Sequence, residues 1–135
     1  MKKLFGILAV LFSVFGFASC GSKSPQAELP GEITYTQIDA EQAKQLMDTE
    51  KDYVIIDART QEEYDAGHIE GAVLIPEYEI ADRAEKELPD KNQLILVYCR
   101  SGRRSKIAAS ALADLGYTNV REFGGIIDWE YETVK

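Results

Sequence analysis

The sequence predicts an α/β domain: a central parallel sheet of about five strands with helices on both faces. Three observations lead there. Continuous apolar, β-branched runs at 53–56, 72–75 and 94–98 have the pattern of strands buried on both faces. Charged, helix-favouring segments with recognisable start signals alternate with those runs, which is the order that builds a parallel sheet. The 135 residues leave room for a single domain.

The chain opens with Lys2 and Lys3, an apolar stretch from Leu4 to Ala18, and small residues at its end. That three-part pattern is a secretory signal, and the stretch is shorter than the roughly 20 residues of a bilayer-spanning helix. Its end, Phe17-Ala18-Ser19-Cys20-Gly21, resembles the lipobox of bacterial lipoproteins, with Phe17 where that motif usually has Leu. The resemblance implies cleavage after residue 19, acylation of Cys20, and firm attachment of the mature chain to a membrane. Gly21 rather than Asp after the cysteine points by the same resemblance to the outer membrane, facing the periplasm. Residues 20–31, poor in apolar side chains and carrying Pro25 and Pro30, read as a flexible tether. A domain at 32–135 follows.

Within that domain Asp39 followed by Gln42, and Thr60 followed by Glu63, are capping-box pairs that start helices. Residues 78–88 form another helix, stopped by Pro89. Ile107, Ala108, Ala111, Leu112 and Leu115 fall on one helical face, with Gly116 placed as a C-terminal cap. A short strand at 119–123 and a last helix at 126–131 complete the expected order.

Composition narrows the function. With 15 Lys+Arg against 23 Asp+Glu the chain carries −8, and loss of the leader with Lys2 and Lys3 takes this to −10. Such acidity argues against a nucleic-acid partner. Two cysteines and one histidine are too few for a usual zinc cage or a disulfide-stapled fold, so no metal is expected.

In a parallel sheet ligands bind beyond the carboxyl ends of the strands. Two places qualify here: Asp57-Ala58-Arg59-Thr60 and the loop from Cys99 to Ser105. The second reads Cys99-Arg100-Ser101-Gly102-Arg103-Arg104-Ser105, followed by Lys106. A helix is expected to begin about six residues after Cys99, and a short curved loop between a strand and a helix turns successive N–H groups inward as an anion-binding concavity. The helix N-terminus adds about half a positive charge, and Gly102 lets the backbone bend. Arg100, Arg103, Arg104 and Lys106 cluster there in an otherwise acidic chain. All of these favour a thiolate. Lowering a thiol from about 8.5 to about 7 raises the charged fraction at neutral pH from a few per cent to about half.

The loop resembles the active-site loop of rhodanese sulfurtransferases, Cys-Arg-x-Gly-x-Arg/Thr before a helix, matched by Cys99, Arg100, Gly102 and Arg104. The resemblance extends to Ile55-Ile56-Asp57-Ala58-Arg59 with Glu62-Glu63-Tyr64, to Gly67-His68-Ile69-Glu70-Gly71-Ala72, and to Gly124-Gly125-Ile126-Ile127-Asp128-Trp129. It implies a rhodanese-like fold without a cofactor. Cys99 would take sulfane sulfur from a small anionic donor such as thiosulfate, become a persulfide, and pass the sulfur to a thiol or cyanide. Arg100, Ser101, Gly102, Arg103, Arg104 and Ser105 would bind the substrate, with Asp57 and Arg59 in support. His68 and Trp129 take structural places, and a monomer is expected.

Two other readings compete. Cysteine-dependent phosphatases and arsenate reductases share this fold, but their pattern sets an Arg six positions after the cysteine, where this chain has Ser105. The other is a tethered, non-catalytic or redox module, although inactive members of the family usually lose the cysteine kept here.

Overall fold

Five parallel strands form one sheet in the computed structural model, which describes residues 34–135. The expected leader, the tether with Cys20, and positions 32 and 33 of the domain lie outside the described residues. The strands are β1 (Thr36–Gln37), β2 (Tyr53–Asp57), β3 (Val73–Leu74), β4 (Leu94–Cys99) and β5 (Val120–Gly125), in the spatial order β1-β5-β4-β2-β3. Every pairing is parallel. The central strand β4 reads Leu-Ile-Leu-Val-Tyr-Cys and is buried from Ile95 onward, as a strand covered on both faces must be.

The helices are α1 (Ala40–Thr49), α2 (Gln61–Ala66), α3 (Ile80–Glu87) and α4 (Arg103–Asp114). Asp39 closes both halves of the capping box on α1. Thr60 accepts from the Glu63 N–H at the start of α2. One apolar layer joins Ile56, Ile95, Val97 and Cys99 to Ile80 and Ala84 of α3 and to Ala108, Ala109 and Leu112 of α4. The other joins Ile55, Leu96, Tyr98 and Phe123 to Ala43 of α1, with Ile69 and Trp129. Helices therefore cover both faces, as the alternating pattern predicts.

Three elements differ from expectation. Only Val73 and Leu74 of the apolar run 72–75 pair as a strand, because β3 is an edge and Ala72 donates its N–H to Ile69 instead of to the sheet. The expected helix at 126–131 is a single 3-10 turn, Ile126–Asp128. Its Ile127 N–H is drawn to the Arg100 carbonyl at 3.2 Å, and Trp129 turns back to stack beside Phe123. The helix expected to begin about six residues after Cys99 begins at Arg103, because Gly102 turns the chain in the left-handed region at φ 106°.

Beyond Glu122 the pairing of β5 with β4 slips: Val97 faces Glu122, but Cys99 faces Gly125. The extra residue is a bulge, a device common beside active sites, and Gly124 absorbs it with φ 85°. Gly125 admits no side chain, since a Cβ there would collide with the Arg100 carbonyl. The bulge thus seats the end of β5 directly against the loop after Cys99.

Candidate active site

Cys99 ends β4 and is 1% exposed. The loop after it is only three residues long, 100–102, before α4 begins. The Gly102 N–H donates to Cys99 Sγ at 3.0 Å, and the thiol lies 3.4 Å from Ser105 Oγ in the first turn of α4. Burial pushes the thiol upward. Hydrogen bonding with the Ser105 hydroxyl and from the backbone N–H groups of Ser105, Gly102 and Ser101 outweighs it, so Cys99 ionises below the ordinary range. The amide cradle expected from the loop and helix start is therefore present around the sulfur.

Behind Ser105 stands Glu122 of β5, 2% exposed. Its Oε1 accepts from Ser105 Oγ at 2.6 Å and from the Gly124 N–H at 2.8 Å. Ser105 also touches the carbonyls of Gly102 at 3.0 Å and Gly124 at 3.3 Å. It is fully buried, beside a thiol that is itself 1% exposed.

Asp57 and Arg59 pair at the end of β2. Arg59 Nη2 lies 2.8 Å from Asp57 Oδ2 and 2.7 Å from the Gly67 carbonyl, and its own N–H donates to Asp57 Oδ1 at 2.9 Å. The Tyr98 hydroxyl donates to Asp57 Oδ2 at 2.7 Å and accepts from the Ile69 N–H at 3.1 Å. Burial and the Asp57 charge push that phenol far above its usual range. His68 stands apart from the thiol's hydrogen bonds. Its ring stacks on Tyr64 at 3.7 Å between centroids, and Nδ1 meets the Tyr64 carbonyl at 2.9 Å.

A rhodanese-like domain model matches residues 39–132, a span that holds Cys99, its loop and the Asp57–Arg59 pair. The chain belongs to the rhodanese-like domain family. It is 41% identical over 80 residues to the thiosulfate sulfurtransferase PspE of Escherichia coli strain K12, covering 59% of this chain and 77% of that one. A sulfurtransferase of Allochromatium vinosum is 37% identical over 94 residues, covering 69% and 86%. A solved structure described as a rhodanese with anions from E. coli superposes with a TM-score of 0.58 at 40% identity, covering 62% of this chain and 98% of that one.

Around this rhodanese-like centre the cations divide. Arg104, expected to bind substrate, is held in a two-pronged pair with Glu63 of α2, at 2.6 and 2.9 Å. The Arg104 guanidinium pulls the Glu63 carboxyl down to about 2. Arg104 therefore ties α2 to α4. Arg100 and Arg103 are exposed and make no ion pair among the described residues, and Lys106 beside them does likewise. Ser101 is exposed and Gly102 buried. Among the described residues no group of acids, histidines or cysteines could hold a metal ion.

Sequence reasoning left out three residues of this rhodanese-like site. Glu63 entered as a helix-start signal and a motif residue, Tyr98 only within the strand run 94–98, and Glu122 only within the short strand at 119–123. A signal for Glu122 existed: it shares the inward parity of Val120 on β5, and a carboxylate on a buried face calls for a partner.

Proposed function

We infer that this rhodanese-like protein transfers sulfane sulfur through a persulfide on Cys99, with thiosulfate as a donor. The observation that carries the reading is the depressed, amide-cradled thiol at the start of a three-residue loop whose exposed Arg100, with Arg103 just after it, makes no ion pair among the described residues. The thiolate attacks the outer sulfur of thiosulfate. Its S–S bond breaks, sulfite departs with the electron pair, and Cys99 is left as a persulfide anion. An acceptor nucleophile, a thiolate or cyanide, then attacks the terminal sulfur and returns Cys99 as thiolate. The N–H groups of Ser101 and Gly102 hold negative charge on the sulfur throughout, already oriented before the reaction. Arg100 and Arg103 draw the anionic donor in and steady the departing sulfite. The relatives' names, thiosulfate sulfurtransferase and sulfurtransferase, support the same chemistry.

The reading extends to the chain's address. The leader and lipobox at 1–20 support a lipid-anchored protein of the cell envelope, on the outer membrane facing the periplasm. Radiolabelled palmitate should enter the wild-type protein in cells, and a Cys20→Ala form that still takes up label would refute the anchor.

Steady-state transfer of sulfur from thiosulfate to cyanide tests the activity. The wild-type protein should form thiocyanate, and Cys99→Ser should lose all measurable turnover while keeping its fold by circular dichroism. Turnover that survives in the serine variant would overturn the assignment.

A further inference from the structure

We propose that Glu122 is a positioning residue that takes the Cys99 proton through Ser105, so that the buried thiol ionises without a histidine. This rests on the reading of Cys99 as the nucleophile. The argument is a count of protons. Ser105 Oγ has four polar neighbours: Cys99 Sγ at 3.4 Å, the Gly102 carbonyl at 3.0 Å, the Gly124 carbonyl at 3.3 Å and Glu122 Oε1 at 2.6 Å. A hydroxyl owns one proton, and with Glu122 ionised three of those neighbours can only accept. The shortest contact, to Glu122, then takes the Ser105 proton. What remains for the sulfur is a lone pair, which suits a thiol and not a thiolate.

A thiolate therefore needs the chain of hydrogen bonds to reverse. The S–H bond of Cys99 breaks as that proton bonds to Ser105 Oγ. The original Ser105 O–H bond breaks as its proton bonds to Glu122 Oε1. One negative charge has moved from the carboxylate to the sulfur, and no other reactant takes part. Ser105 now donates to the sulfur beside the Gly102 N–H, and Glu122 donates to Ser105. The Gly124 N–H, at 2.8 Å, holds Oε1 in line in both states.

The surrounding charges leave Glu122 available for this exchange. On β2 and the loop after it, Asp57 is neutralised by Arg59; on α2 and α4, Glu63 is neutralised by Arg104, which also feels the charge of Cys99. Arg100 and Arg103 are exposed at the mouth. Among the described residues Glu122 makes no ion pair, so its own charge is not tied up by a cation. Two groups sharing one proton titrate as a pair.

Alkylation of Cys99 by iodoacetamide in the full chain tests this, with the rate followed on the Cys99 peptide by mass spectrometry from about pH 4 to about pH 9. The wild-type rate should follow two ionisations, with a shoulder at a pH on the acid side of the main rise, where the singly protonated pair supplies thiolate. Glu122→Gln keeps the shape and both acceptor contacts but cannot take a proton. Its rate near that pH should be at least about tenfold lower, and should fall about tenfold per unit as one simple ionisation. Ser105→Ala should lose the shoulder in the same way, and adding Glu122→Gln to it should change nothing more. Superimposable profiles for wild type and Glu122→Gln would overturn the proposal, as would a Glu122→Gln effect undiminished in the Ser105→Ala background. Should Glu122→Gln fail to fold, a shoulder retained in Ser105→Ala is by itself contrary. Alkylation involves no sulfur donor, so failure here leaves the sulfur-transfer reading standing, and the reverse.

Discussion

Tyr98 and Cys99 are neighbours in sequence, yet they serve two unlike polar centres on opposite faces of one sheet. On one face Asp57 meets the Arg59 guanidinium, the Arg59 N–H and the Tyr98 hydroxyl, and Tyr98 in turn receives the Ile69 N–H. Charge and hydrogen-bonding capacity are matched there. On the other face Cys99, Ser105 and Glu122 are linked through the Ser105 hydroxyl with acceptors outnumbering protons and, among the described residues, no cation paired to the acid. The alternation of a strand separates a centre that holds the fold from one that can change its protonation state. Buried polar groups fully satisfied rigidify a structure, whereas partly satisfied ones store reactivity.

Removing a member of each centre should break the comparison in different currencies. Asp57→Ala strands Arg59, 5% exposed, without its counter-ion, and takes the acceptor from Tyr98. It should destabilise the domain by about 3–5 kcal/mol in urea unfolding, in the range found when one partner of a buried pair is lost. Tyr98→Phe removes less. It leaves the buried Ile69 N–H without its 3.1 Å partner and should cost about 1–3 kcal/mol by the same measurement, while the Cys99 alkylation rate stays near wild type. A large loss of thiol reactivity in Tyr98→Phe would show that the two faces are coupled.

Between the two centres lies the Glu63–Arg104 pair, and it sets a pH window. Glu63 sits at about 2 when folded, against its ordinary 4.5. A carboxyl depressed by folding contributes stability that is present above 4.5 and is lost as pH falls towards about 2. The pair is about a quarter exposed, so solvent screening brings its contribution to about 1 kcal/mol. Glu63→Gln should therefore flatten the decline of melting temperature across that acid range and lower stability at neutral pH by that amount. The smallest effect belongs to the mouth. Arg103→Ala should raise KM for thiosulfate a few-fold with kcat little changed, and added salt should shrink the difference.

Much of this was legible in the chain. The run Leu94 to Tyr98 could only be a covered strand, the Asp39–Gln42 pair starts a helix as written, and glycine and arginines after Cys99 marked the loop. Local chemistry determines those features. The ion pair of Arg104 was not legible because its partner Glu63 lies 41 positions away, a separation that periodicity does not span. The turn at 126–128 was read as a longer helix because its backbone is claimed by Arg100, a tertiary bond that overrides local preference. Glu122 escaped for a related reason: its role depends on the bulge that brings β5 against α4.

Transfer by this route requires Cys99 to carry the sulfur. Intact-mass spectrometry of the purified protein after incubation with thiosulfate tests it most directly. The wild-type protein should gain the mass of one sulfur atom, located to the Cys99 peptide and removed by cyanide, while Cys99→Ser gains none. A wild-type protein that turns over thiosulfate without that adduct, or an adduct that persists in Cys99→Ser, would contradict it.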